Sequence, residues 1–131
     1  MPNRPDVVIL SVDRLTRAPL RAQLIEDGFE VIATDSWPMM RTHLRPGQKP
    51  SFVIVDLQAL DNPEQVLNDV RVLIQPERVM VLTVLGSIDA AEVTRRGFVA
   101  VRRPVSIGSI VESARALLAR MTTETQSGRE R

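Results

Sequence analysis

At 131 residues, with a formal net charge of +1, 44% hydrophobic and 25% charged residues, the chain is sized for one well-filled core and composed like an ordinary globular domain. The near-neutral balance argues against a broad nucleic-acid footprint, and the lack of cysteine excludes disulfides, thiolate chemistry and cysteine-ligated zinc. No apolar run is long enough to cross a bilayer, and Met1-Pro2-Asn3-Arg4-Pro5-Asp6 lacks the apolar core of a secretion signal, so a cytoplasmic protein is expected.

The first predicted element is a strand, Val7 to Val12, apolar except for a small Ser11 and ending at Asp13. A helix follows, with Pro19 expected in its first turn, Leu20, Leu24 and Ile25 on its inner stripe, and Gly28 as its stop. Glu30-Val31-Ile32-Ala33 reads as a second strand. Asp35 or Ser36 is placed to cap a second helix that turns Met40 and Leu44 inward. The polar loop Pro46-Gly47-Gln48-Lys49-Pro50 leads to Phe52-Val53-Ile54-Val55-Asp56, an apolar run rich in β-branched residues that stops at a carboxylate. Such a run is the habit of a central strand of a parallel sheet, buried on both faces.

Asp61 or Asn62 is placed to cap a third helix, with Pro63 in its first turn, Glu64 suited to the helix dipole, and Val66, Val70, Leu73 and Ile74 at helical spacing. Val79-Met80-Val81-Leu82 is the fourth strand, ending at Thr83; Gly86-Ser87 is expected to open a helix through Ala90, Ala91 and Val93 that Gly97 ends. Val99-Ala100-Val101 is the fifth strand, followed by Arg102, Arg103 and Pro104. The last helix carries Ile110, Val111, Ala114, Leu117, Leu118 and Met121; residues 1–121 are read as one domain and 122–131 as a polar tail or linker. Strand then helix, five times over, predicts an α/β domain with a parallel sheet and helices on both faces, because each crossover is right-handed.

The glycines form neither a dinucleotide fingerprint nor a phosphate loop. His43, the only histidine, falls in a predicted helix away from any strand end, so a Ser-His-acid triad is not expected. Trp37 and Met39-Met40 read as packing rather than a ligand cage, and Arg95, Arg96, Arg102 and Arg103 as a solvated basic face. What remains lies at the carboxyl ends of the strands, where parallel sheets collect their ligands: Asp13, Asp56, Thr83 and Arg103. An aspartate can accept a phosphoryl group as an acyl phosphate, whose oxygens a hydroxyl and a guanidinium would then bond.

This constellation resembles the receiver domain of bacterial response regulators, from Val7 to about Arg120. Phe52-Val53-Ile54-Val55-Asp56-Leu57 is similar to the family's phosphoacceptor strand, Val79-Met80-Val81-Leu82-Thr83 to its switch-hydroxyl strand, and Val101-Arg102-Arg103-Pro104 to its basic-residue-plus-proline turn. The resemblance implies a flavodoxin-like sheet of order 2-1-3-4-5 and a non-enzymatic signalling role. In that role Asp56 takes a phosphoryl group from a histidine kinase or phosphotransfer protein, and Thr83 and Arg103 stabilise it. Asp13 and Asp56 would hold Mg²⁺. It also implies an output domain or a homodimer through the fourth helix, fifth strand and fifth helix, with no nucleic-acid or membrane partner.

The chain departs from the family's pattern at several points. Val12-Asp13-Arg14 stands where two adjacent acids are usual, and a divalent cation depends on charged oxygen donors. Arg103 replaces a lysine, Ala100 a strand-five aromatic, and Gln58-Ala59-Leu60 a Met-Pro turn. These departures motivate an alternative to phosphotransfer, a pseudo-receiver that docks partners without phosphorylation. A flavin carrier or small enzyme on the same scaffold is disfavoured, since phosphate-loop hydroxyls and flanking aromatics are missing.

Overall fold

The computed structural model describes residues 4–102 and 106–129, with side chains as far as residue 121. The elements run β1 (Val7–Leu10), α1 (Arg14–Glu26), β2 (Val31–Thr34), α2 (Trp37–Arg41), β3 (Phe52–Asp56), α3 (Pro63–Leu73), β4 (Val79–Thr83), α4 (Ala90–Arg95), β5 (Val99–Arg102) and α5 (Ile107–Arg129). All strand pairs are parallel and the order is β2-β1-β3-β4-β5, as the alternation and the resemblance imply. β1, β3 and β4 are buried along their whole length, which is why they read as unbroken apolar runs; the edge strands β2 and β5 are half-buried.

The pleat sorts the core into two layers. Val7, Ile9, Phe52, Ile54, Met80 and Leu82 pack with Leu20 and Leu24 of α1 and with Ile110, Val111, Ala114 and Leu117 of α5. Their neighbours Val8, Leu10, Val53, Val55, Val79 and Val81 pack on the opposite face with Met40, Val66, Leu67, Val70 and Val93. Two arginines tie the outer helices through ion pairs. Arg115 of α5 forks onto Asp27 at the end of α1, with 2.7 and 2.8 Å bonds, and these bonds hold its guanidinium above its ordinary range. Arg96 joins Glu92 at 2.9 Å and Glu64 at 2.8 Å, lashing the end of α4 to the first turn of α3 and holding the Glu64 carboxyl below its usual range. Each of these ion pairs keeps at least one partner partly in solvent, so they set helix orientation more than stability.

Several boundaries depart from expectation. β1 ends at Leu10, ahead of Val12. Pro19 lies inside α1 rather than in its first turn, because Asp13 caps the helix and starts it at Arg14; the missing N–H forfeits one intrahelical bond. Ile25 is 42% exposed, off the buried stripe of Thr16, Leu20 and Leu24. α4 begins at Ala90 under an Asp89 cap, whose carboxylate accepts from Glu92 N at 2.8 Å, so Gly86-Ser87 precedes the helix instead of opening it. The backbone of α5 continues as far as Arg129, into the segment read as a tail. Among the described residues no helix is long and apolar enough to cross a membrane.

Candidate functional site

Strand register brings the carboxyl ends to one rim: Leu10 aligns with Val55, Asp56 with Leu82, and Thr83 with Arg102. Asp56, the last residue of the central strand, is fully buried. Its Oδ2 accepts from the Ser11 hydroxyl at 2.8 Å and its Oδ1 from Gln58 N–H at 3.0 Å. Ser11 is itself fully buried, and its hydroxyl also lies 3.2 Å from the carbonyl of Asp13. Asp56 therefore joins the β1–α1 loop to the first residues beyond β3. Those residues turn sharply: Ala59 and Asn62 both take left-handed φ, 58° and 52°, a conformation that costs a side-chain-bearing residue roughly 1–2 kcal/mol.

Asp13, expected as a metal ligand, is the N-cap of α1. Its Oδ1 accepts from Leu15 N–H at 3.0 Å and its Oδ2 from the Thr16 hydroxyl at 2.9 Å. Arg17 braces the same loop, its Nη1 donating to the Ser11 carbonyl at 2.8 Å and sitting 3.4 Å from that of Val12. The residue that reaches Asp56 from the loop after β1 is thus Ser11, not Asp13. Sequence reasoning passed over Ser11 and Arg17. The signal for Ser11 was a lone hydroxyl in an apolar strand, since a buried polar group is almost always hydrogen-bonded.

Thr83 closes β4, is 5% exposed, and its hydroxyl donates to the Val101 carbonyl on β5 at 3.4 Å. It lines a cavity of about 320 Å³ with Leu85, Asp89 and Arg102. Arg103, the predicted cation of the set, lies outside the described residues. Three of the four predicted positions, Asp13, Asp56 and Thr83, thus gather at one edge of the sheet.

The donor set does not fit the Mg²⁺ that the resemblance implies. Among the described residues no group of three or more acids or histidines is placed to hold a metal. Of the two predicted ligands, Asp13 spends its oxygens on the cap and Asp56 on Ser11 and Gln58. Asp13→Ala is expected to lower stability by about 1 kcal/mol, the ordinary worth of an N-cap, equally with and without added Mg²⁺. Urea titrations in both buffers check this; a loss confined to the magnesium buffer would return Asp13 to metal binding.

A five-stranded parallel sheet of order 2-1-3-4-5 flanked by helices is the flavodoxin-like fold, and response regulator receiver domains are among the solved structures that share it with this chain. A response regulator receiver domain protein from Clostridium thermocellum superposes with a TM-score of 0.71 at 19% identity, over 89% of this chain and 96% of that one. NtrX from Brucella abortus gives 0.79 at 18% identity, where 98% of this chain spans 30% of that protein. A Rhodopirellula baltica structure described as an adenylate cyclase gives 0.74 at 19% identity, covering 98% of this chain and 99% of the other. At such identities the likeness is one of fold. No protein-family model and no curated protein matches the sequence.

Proposed function

We propose that this chain is a receiver-fold docking module, not an enzyme, in which Asp56 serves as a structural pin and no phosphoryl cycle operates. The observation that carries this reading is the Ser11–Asp56 bond of 2.8 Å between two fully buried side chains. A phosphoacceptor must present a carboxylate oxygen to an incoming phosphorus, with cationic help close by. Here the oxygen nearest β1 is taken by a hydroxyl, and the acid that would recruit a cation is the cap of α1. A domain of this kind acts by presenting its outer surfaces to partners in a cytoplasmic signalling assembly.

A second reading is favoured by the rim itself. Asp56 and Thr83 end adjacent strands of the right fold, so Asp56 would take a phosphoryl group from a histidine kinase or phosphotransfer protein, with Mg²⁺ supplied from solution. The added charge would then shift a surface near α4 and β5, toward an output domain or a second copy. Treatment with acetyl phosphate and Mg²⁺, followed by intact-mass measurement at acid-quenched time points, separates the two. We expect no added phosphoryl group. An acid-stable-in-the-cold, base-labile adduct that disappears in Asp56→Asn would replace the docking-module reading with the phosphoacceptor one.

A further inference from the structure

Beside the Asp56 rim, the amino ends of α2 and α3 enclose a groove of about 330 Å³ that none of the preceding chemistry uses. Its wall is apolar, built from the half-buried Trp37 and Leu60 and from the buried Val66. Its polar lining is unbalanced. Asp35 and Asp61 both line it and both are exposed, while among the described residues no lysine, arginine or histidine does. Neither carboxylate has a hydrogen-bond or ion-pair partner among the described residues. Glu64, the acid next along α3, lies outside the lining and is already held by Arg96. Gln65 donates its amide N–H to Asp69 at 2.9 Å, which leaves its carbonyl oxygen as an acceptor.

We infer that this groove receives an arginine side chain presented by a partner protein. Two carboxylates and an amide oxygen are acceptors, so they select an occupant rich in donors. A guanidinium offers five N–H groups and no acceptor. Its planar fork matches a carboxylate with two parallel bonds, and its face stacks on an indole, a pairing that a lysine ammonium lacks. The apolar wall covers the methylene stem, as long basic side chains require. The volume lies at the small end of ligand-site volumes, enough for one side chain and not for a dinucleotide. An anion or a neutral ligand would leave both aspartates opposed or unused. Val12, 38% exposed, and the exposed Pro38 continue the apolar surface at the mouth, which provides for a polypeptide running on from the arginine.

The test needs no knowledge of the partner, because Trp37 is the only tryptophan and it stands in the groove wall, so its emission is the sole indole signal. The probe is the capped peptide acetyl-Ala-Ala-Arg-Ala-Ala-amide, titrated at physiological salt beside its citrulline counterpart and free L-arginine. A saturable change in emission is expected with the arginine peptide, with the citrulline peptide and free arginine each at least fivefold weaker. The double variant D35N/D61N should lose at least tenfold in affinity, and E26Q/E30Q, which removes the same charge from exposed positions, should bind like the parent. An equal response to citrulline, an equal loss in E26Q/E30Q, or no saturable change would overturn the assignment. Free arginine binding as tightly as the peptide would also overturn it, in favour of a small-molecule site. Self-association that D35N/D61N abolishes would hand the groove to a second copy and overturn it likewise. The experiment does not involve Asp56, so its failure leaves the pin reading standing.

Discussion

Asp56→Ala is expected to lower the free energy of unfolding by about 2–3 kcal/mol, with the denaturation midpoint falling and the m-value unchanged. The substitution takes the acceptor from the Gln58 N–H and leaves the Ser11 hydroxyl only the longer 3.2 Å approach to the Asp13 carbonyl. The Ser11 hydroxyl is fully buried and the Gln58 N–H partly so, and each loses its acceptor on Asp56. A buried donor left without a partner costs roughly 1–3 kcal/mol, more than the net worth of the bond it made. Asp56→Asn keeps one carbonyl oxygen and should lose about half as much. Urea titration of the three proteins measures the series. The sign discriminates between functions. Residues kept for chemistry are often held at some expense to stability, so an Asp56→Ala variant more stable than the parent would undercut the pin and favour the phosphoacceptor reading. Partner binding by a correctly folded Asp56→Asn protein should survive.

The largest loss of stability is expected from Phe52→Ala, about 3–5 kcal/mol. Phe52 opens β3, is fully buried, and packs in the layer formed with α1 and α5. Removing its ring leaves a cavity between a central strand and two helices that other contacts hold in place, so the site can collapse only in part. Leu15→Ala is the control. Leu15 is 84% exposed in the first turn of α1, and its truncation should stay within about 0.5 kcal/mol of the parent. Similar losses at both positions would mean that the strand does not lie between two layers. Because Phe52 and Asp56 share one strand, a weakened Phe52 variant should also loosen the Gln58 N–H bond to Asp56 Oδ1, visible as faster amide exchange at Gln58.

The same strand shows how far the amino-acid order alone reaches. Phe52 to Val55 announced a two-sided core strand, and the alternation of such runs with amphipathic segments announced the parallel sheet, while its order came from the resemblance to receiver domains. That pattern is legible because burial is written into each residue's own apolarity and period. The gathering of Asp13, Asp56 and Thr83 at one rim also followed, since in a parallel sheet all carboxyl ends face the same way.

What each of those side chains does there was decided only in three dimensions. Whether Asp13 faces a cation or a helix depends on where α1 begins, a matter of one residue of phase at Arg14, and Pro19 within the helix gives no sequence warning of it. The acid that ends β3 and the hydroxyl just beyond β1 are 45 residues apart, and nothing local marks them as partners. The groove at Trp37 is likewise made by two helix ends distant in the chain, so an indole that reads as packing also walls an open acidic site. Composition and period determine which residues are buried. Which hydrogen bond a polar group makes is set by the nearest available partner, and only the folded chain supplies that distance.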